Sequence, residues 1–237
     1  MQQMFNTPLY LQIREQIFEA LRSGRWASND PLPSETKLAS EFEVSQGTIR
    51  KAIDDLVAQN ILYRHQGRGT FIRRHDEQQS LFRFFNLARA DGSKPVPESM
   101  NLHCKTRKGL KHECAALQRP TGERLIEILR LRRLDGQPVI LETILVSQQR
   151  FPDLNKRDLP NTLYELYGDE YNVYITRAEE QIKGILPDAT MQHHLEIERT
   201  TPLIEIQRIA YDLHNQPVEI RISQCVTGDF VYACSLN

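Results

Sequence analysis

Arg130 and Arg132 lie two residues apart in Leu125 to Arg133, a run whose alternation fits a β-strand. On a strand that spacing sends both guanidinium groups to one face. There they offer up to about ten N–H donors and no acceptor, a clamp for a carboxylate or phosphate. The same spacing also fits a solvated strand face with ion pairs to Glu127 or Glu142. Asp135-Gly136 signals a hairpin turn, with Pro138 to Val146 as the returning strand. A two-residue turn places Glu142 opposite Arg130 in facing, whereas a three-residue loop brings the two together; the second register is the one expected. Thr162 and Tyr164 add hydroxyls at the start of a short helix over Leu163 to Leu166 that leaves at Gly168. Arg177 and Glu219 complete the candidate anion pocket.

Other chemistry finds less support. His103-Cys104 and His112 with Cys114 match no common zinc spacing. The four cysteines are few and widely spaced, which fits reduced thiols better than a disulfide framework. No Ser-His-Asp signature, metal motif or phosphate loop stands out, so no catalytic residue, metal or cofactor is assigned and the chain is expected not to be an enzyme.

A second group of chemistry-bearing residues sits in the first third of the chain. Ser34 precedes a run in which Leu38, Ala39 and Phe42 share a face, and reads as a helix N-cap. Glu43-Val44 makes a tight turn. Ser45 caps a second helix, where Ile49, Ala52, Ile53 and Leu56 recur at core spacing and Gln46, Gly47, Thr48 and Arg50 face away. Two short helices joined by a brief turn form the helix-turn-helix pattern, whose second helix enters the DNA major groove N-terminus first. Arg50 also has a local partner at helical spacing in Asp54. After a left-handed cap at Asn60, Ile61 to Arg64 and Thr70 to Arg73 flank His65-Gln66-Gly67-Arg68-Gly69 as a wing. Glycine there lets backbone N–H groups approach phosphates, and Arg68 adds charge. The expected DNA-facing set is Ser34, Glu35, Thr36, Ser45, Gln46, Gly47, Thr48, Arg50, Gly67 and Arg68.

These residues also carry a family resemblance. Pro33-Ser34-Glu35, Leu38-Ala39, Val44-Ser45, Thr48-Ile49-Arg50 and Gly67-Arg68-Gly69-Thr70-Phe71 resemble the GntR regulators, as does Tyr10-Leu11-Gln12-Ile13 in the first helix. Gln46 and Thr36 stand where that family often has arginine. Further on, Arg130-Leu131-Arg132, Asp135-Gly136-x-Pro138, Glu142, Thr162-Leu163-Tyr164 and Pro217-Val218-Glu219 resemble the UTRA effector domain of HutC-type members. The resemblance implies a chorismate-lyase-like α+β domain that binds a small metabolite. It also implies a regulator, and most readily a repressor released from its operator by that metabolite.

The elements that must position these groups follow from the pattern. Pro8 to Ser23 reads as the first helix, under the recognition helix. Residues 1–75 form the winged helix-turn-helix domain, 76–80 a short polar linker, and 81–237 an α+β effector and dimerisation domain. In the last, a strand near Ser99 to Thr106, a helix from Glu113 to Leu117, a strand from Ile175 to Ile185 and a helix from Ala189 to Leu195 are expected. Leu125-Ile126-Glu127-Ile128-x-Arg130 recurs as Leu203-Ile204-Glu205-Ile206-x-Arg208, and Gln137-Pro138-Val139 as Gln216-Pro217-Val218, so the hairpin occurs twice.

With 237 residues, 40% hydrophobic content and net charge −1, the chain suits a soluble protein of two ordinary domains. Bulk charge therefore carries no argument for nucleic acid, and the DNA reading rests on motif geometry. No apolar run approaches ~18 residues, so no membrane contact is expected and the location is cytoplasmic. A single winged helix reads only a few base pairs. A homodimer on a palindromic double-stranded operator, responsive to a small anionic metabolite such as a carboxylate or sugar phosphate, is the partner set expected.

Overall fold

The computed structural model describes residues 8–23, 25–26, 31–58, 61–72, 85–212 and 214–234. Asn60, Arg73 and the linker at 76–80 lie outside them. The chain divides into two compact units, Met1–Arg74 and His75–Asn237.

In the first unit, α1 (Leu9–Arg22), α2 (Glu35–Glu41) and α3 (Gln46–Ala58) precede the hairpin of β1 (Leu62–His65) and β2 (Gly69–Ile72). Ile13 and Ile17 from α1, Leu38 from α2, and Ile49, Ile53 and Leu56 from α3 are buried together with Leu62. Removing each such side chain from water contributes about 1.5–3 kcal/mol, which is what holds helices this short. Ser34 Oγ accepts from Lys37 N at 3.3 Å, capping α2. α2 stops because Glu43 turns left-handed (φ 55°) and Val44 N reaches back to Ala39 O at 3.0 Å, a Schellman-type stop. Ser45 Oγ then accepts from Thr48 N at 3.1 Å to start α3.

The second unit is built on one antiparallel six-stranded sheet in the order β4-β5-β6-β9-β8-β7. Its elements are β3 (Leu87–Arg89), β4 (Glu98–Lys108), α4 (Lys111–Ala116), β5 (Arg124–Leu134), β6 (Gln137–Ser147), α5 (Leu163–Tyr171), β7 (Ile175–Ile185), α6 (Ala189–Leu195), β8 (Leu203–Asp212), β9 (Pro217–Val226) and β10 (Phe230–Tyr232). β3 and β10 pair with each other as a separate two-stranded ribbon. α5 continues through Gly168 to a left-handed Asn172 (φ 54°), correcting the stop expected at the glycine. Gly168 lies against the Tyr174 ring, 3.2 Å from where a Cβ would stand, so it serves close packing and not termination.

The repeated sequence is a structural repeat, β-α-β-β twice over. Its two copies meet at β6 and β9, where Thr143 pairs with Ile222, the residue that corresponds to it in the second copy. The loop of the first hairpin corrects the expected geometry. Leu134 pairs with Gln137, so Asp135-Gly136 is a two-residue turn with both φ positive (53° and 78°), the type favoured by strand twist. Val139 is then left out of the ladder as a bulge, and Val218 is left out at the corresponding place in the second hairpin. One face of the sheet packs Leu125 and Leu145 against Leu117 at the end of α4, and Leu131, Leu141 and Leu203 against Leu195 of α6. The other face packs Ile126, Ile128, Ile144 and Val146 against Phe151, Leu163 and Tyr167.

Candidate functional site

The first unit presents a polar face at the start of α3. Gln46, Gly47 and Arg50 are exposed there beside Ser45, whose Oγ lies 2.9 Å from Thr48 Oγ1. Arg50 takes Glu35 of α2, and not its helical neighbour Asp54, as its hydrogen-bonded partner. Its Nε donates to Glu35 Oε2 at 2.9 Å, and Arg64 reaches both Glu35 Oε1 (3.3 Å) and Asp54 (2.6 Å). Glu35 thus ties α2 to the recognition helix and to the first wing strand, and sets the pose of Arg50. Ser34 and Thr36 are exposed beside it. In the wing, Gly67 takes φ +73° and Arg68 is exposed, its N–H donating to His65 O at 3.0 Å to close the tip. Leu32 N donates to Thr70 O at 2.7 Å, and Tyr63 stacks on Phe71 at 5.6 Å, which stiffens the hairpin.

The second unit holds a cavity of about 50 Å³, room for roughly four waters at ~10–15 Å³ each. It opens on the β3–β10 side of the sheet face that α5 covers elsewhere, and three strands send arginines to it: Arg132 from β5, Arg208 from β8 and Arg221 from β9. Glu142, Asn161, Thr162, Tyr164, Ser223, Asn86 and Tyr232 supply further polar groups, and Phe85, Leu87, Ile140 and Ile206 an apolar wall.

Arg130 and Arg132 share a face, and the bulge at Val139 puts Glu142 directly opposite Arg130. Arg130 donates to Glu142 Oε2 from Nη2 (2.7 Å) and Nε (3.1 Å) and is sealed behind the cavity, 1% exposed. Arg221 Nη1 donates to Glu142 Oε1 at 3.3 Å, while its Nε and Nη2 take Glu219 at 2.8 and 3.0 Å. Glu219, wholly buried, also accepts from Tyr164 Oη and Tyr167 Oη at 2.9 Å each. Burial pushes the Glu142 carboxyl up, but Arg221, Arg130 and Arg132 outweigh it and hold the group far below the usual carboxylate range.

Arg132 is the least satisfied of these cations. It is 3% exposed, reaches Asn161 Oδ1 only at 3.4 Å and Glu142 at 3.8 Å, and among the described residues its buried Nε has no hydrogen-bond partner. Burial pulls its pKa down to about 9, and the neighbouring Arg130, Arg221 and Arg208 add to the fall against the pull of Glu142. A buried cation with a donor left over is costly to hold.

Residues 94–230 match the UTRA domain and residues 9–72 the gntR family of bacterial regulatory proteins. The chain belongs to the GntR family, in its UTRA-bearing class. The mannosyl-D-glycerate transport/metabolism system repressor MngR of Escherichia coli K12 is 28% identical over 97% of this chain and 96% of its own length. The HTH-type transcriptional regulator GgaR of the same organism is 27% identical over 97% of this chain and 91% of its own length. Among solved structures, the ligand-binding domain of a GntR-family transcriptional regulator from Bordetella bronchiseptica superposes with a TM-score of 0.60 at 25% identity, covering 65% of this chain and 98% of that one. This GntR protein is therefore a DNA-binding transcriptional regulator with an effector domain, and not an enzyme.

Within that GntR architecture the predicted residues separate into groups. Arg132, Glu142, Thr162 and Tyr164 line the cavity; Thr162 Oγ1 donates to Glu165 at 2.9 Å. Arg130 and Glu219 stand one layer behind it, holding Glu142 and Arg221. Arg177 is outside the cavity. On β7 the side toward the cavity is that of Glu180, which bonds the cavity-lining Arg208; Arg177 lies an odd number of residues from it and faces the other way, exposed, paired with Glu179 and Asn215 and stacked on Tyr211 at 3.8 Å. Arg208 and Arg221 line the cavity without belonging to the expected set, and Arg208 fills the position of Arg130 in the repeated Leu-Ile-Glu-Ile-x-Arg segment. The His103, Cys104, His112, Cys114 set does not converge: His103 bonds Glu127 at 3.1 Å, Cys104 packs on the core, Cys114 is buried and His112 is exposed. Among the described residues no group of three or more His, Cys, Asp or Glu has metal-holding geometry, and no helix is long and apolar enough to cross a membrane.

Proposed function

We propose that this regulator is a repressor that binds a palindromic operator as a homodimer in the bacterial cytoplasm and releases it when a small anionic metabolite enters the cavity. The observation that carries the effector half is Arg132, a nearly buried guanidinium lining the cavity with an unpaired Nε. A carboxylate or phosphate placed there takes that donor and brings a charge the site lacks. Thr162, Tyr164, Ser223 and Glu142 then hydrogen-bond the rest of the ligand, while Arg130 and Glu219 keep Glu142 and Arg221 in place.

On the DNA side, Gln46, Thr48 and Arg50 face base edges and adjacent phosphates, with Gly67 and Arg68 at the backbone from the wing. Ser34, Glu35, Thr36, Ser45 and Gly47 support that face, Glu35 by orienting Arg50. The repressor direction is supported by the relative named as the repressor of a mannosyl-D-glycerate system. Dimerisation through residues 81–237 supplies the two-fold match to operator half-sites.

The test is a thermal-shift screen of carboxylated and phosphorylated metabolites against the full chain and Arg132→Gln. A ligand at 100 times its Kd raises wild-type stability by about 2.7 kcal/mol. A hit that lowers operator affinity in wild type and does neither in Arg132→Gln is the expected result; a hit that stabilises both equally places the effector elsewhere.

A further inference from the structure

The cavity has one wall that does not belong to the six-stranded sheet. Phe85, Asn86 and Leu87 line it from the start of β3, and Tyr232 from β10. This ribbon is closed by three register pairs and by Ala233 N donating to Asn86 O at 2.8 Å. Phe85, Leu87 and Phe230 seat it on Leu134, Val139, Ile140, Ile206 and Cys225.

One carboxylate connects the ribbon to the cavity cations. Glu180 stands directly opposite Arg208 on β7 and β8 and accepts from Arg208 Nε at 2.7 Å. The same carboxylate accepts from Tyr232 Oη and, at 3.5 Å, from Asn86 Nδ2, which itself donates to Tyr232 Oη at 2.9 Å. Arg208 lines the cavity.

Resting on the reading of the cavity as the effector site, we propose that Glu180 is a built-in competitor of the effector anion for Arg208, and that displacing it unlatches the β3–β10 ribbon. Arg221 is already committed to Glu219 and Glu142, so an anion on Arg132 draws next on Arg208. Once Arg208 turns to the ligand, Glu180, its side chain 14% exposed, is left without its buried counter-charge. On the edge strand β7 it gains by swinging to water. Tyr232 and Asn86 then lose their shared acceptor, and the ribbon is left with its ladder, its apolar seat and the exposed Arg89–Asp135 ion pair. β3 is the first described strand of the second unit, whose chain begins at His75, so the event in the cavity reaches the strand nearest in sequence to the DNA-binding unit.

The experiment uses the full chain with inorganic phosphate as the anion, calorimetry for affinity and hydrogen exchange for the ribbon amides. Phosphate binding should speed exchange in residues 87–89 and 230–233 of wild type by about tenfold or more. Glu180→Ala, which removes the acceptor and the charge together, should show that fast exchange without phosphate and bind phosphate about tenfold tighter, because the competitor is gone. Tyr232→Phe should also exchange fast without phosphate, yet bind it within about twofold of wild type, since Glu180 still holds Arg208. Phosphate uptake that Arg132→Gln abolishes, together with unchanged ribbon exchange and wild-type affinity in Glu180→Ala, overturns the latch while leaving the cavity reading intact. Absence of phosphate uptake in wild type, or uptake that Arg132→Gln leaves unaltered, overturns the cavity reading and the latch with it.

Discussion

Glu142 and Arg221 occupy corresponding positions in the two repeated hairpins, and the antiparallel junction of β6 with β9 brings them together at 3.3 Å. The repeat has put a carboxylate in one copy where the other has a guanidinium, so the sheet neutralises its own centre. Glu142 also faces Arg130 and Arg132, and removing its charge leaves three buried cations without their common partner. Glu142→Gln should destabilise the protein by about 3–5 kcal/mol. Urea unfolding of the variant checks it; a loss below about 1 kcal/mol would mean the cluster is far wetter than its burial indicates.

Arg132 should behave in the opposite way. Its charge is held at a cost, so Arg132→Met should raise stability by roughly 1–2 kcal/mol while abolishing the response to effector. Thermal denaturation paired with operator binding, with and without a screened effector, reads both halves. A variant that is less stable than wild type would show Arg132 to be a structural ion-pair member.

Acid should weaken the second unit in a defined window. Glu127 has its pKa held at about 2: burial pushes it up, but hydrogen bonds from Arg107, Lys105 and His103 prevail. Glu142 is depressed as well. Both folded-state values lie below the unfolded value of 4.5, so the unfolded chain takes up protons first as pH falls. The stability these groups contribute is complete above about pH 4.5 and drains away toward pH 2. Glu127→Gln should flatten the curve in that interval, and an unaltered slope would rule Glu127 out as a contributor.

On the DNA side, Arg50→Ala should cost about 1–3 kcal/mol of operator affinity and relax sequence preference, if it reads a base. Glu35→Gln should show a smaller loss in the same direction, because it frees the Arg50 guanidinium from its rest pose. Arg68→Ala should weaken all sequences alike and reduce the salt slope by about one. Gel-shift titrations at several salt concentrations separate these outcomes; wild-type behaviour in both arginine variants would move the reading face elsewhere.

The homodimer has its own check. Sedimentation of the full chain should give twice the monomer mass, and a truncation to residues 81–237 should keep that mass if dimerisation resides there. A monomeric full chain with unchanged operator affinity would remove the palindrome from the picture.

Local chemistry was legible in the residues alone. Ser34 and Ser45 start their helices, Gly67 allows the left-handed wing tip, and the alternation from Leu125 to Arg133 makes a strand, because caps, φ preference and side-chain period depend on neighbours a few residues away. The shared face of Arg130 and Arg132 followed from the same period. Which arginines meet the cavity did not. The bulge at Val139 reverses the facing of everything after it in β6, and a bulge is decided by cross-strand pairing that no local period records. Arg208 and Arg221 join Arg132 only because β5, β8 and β9 lie in one sheet around a junction of two repeats, and Arg177 is excluded by the parity of β7. Whether Arg130 faces a ligand or is sealed behind Glu142 depends on residues 12 to 31 positions away, Glu142, Pro160 and Asn161. Tertiary packing alone sets that distance.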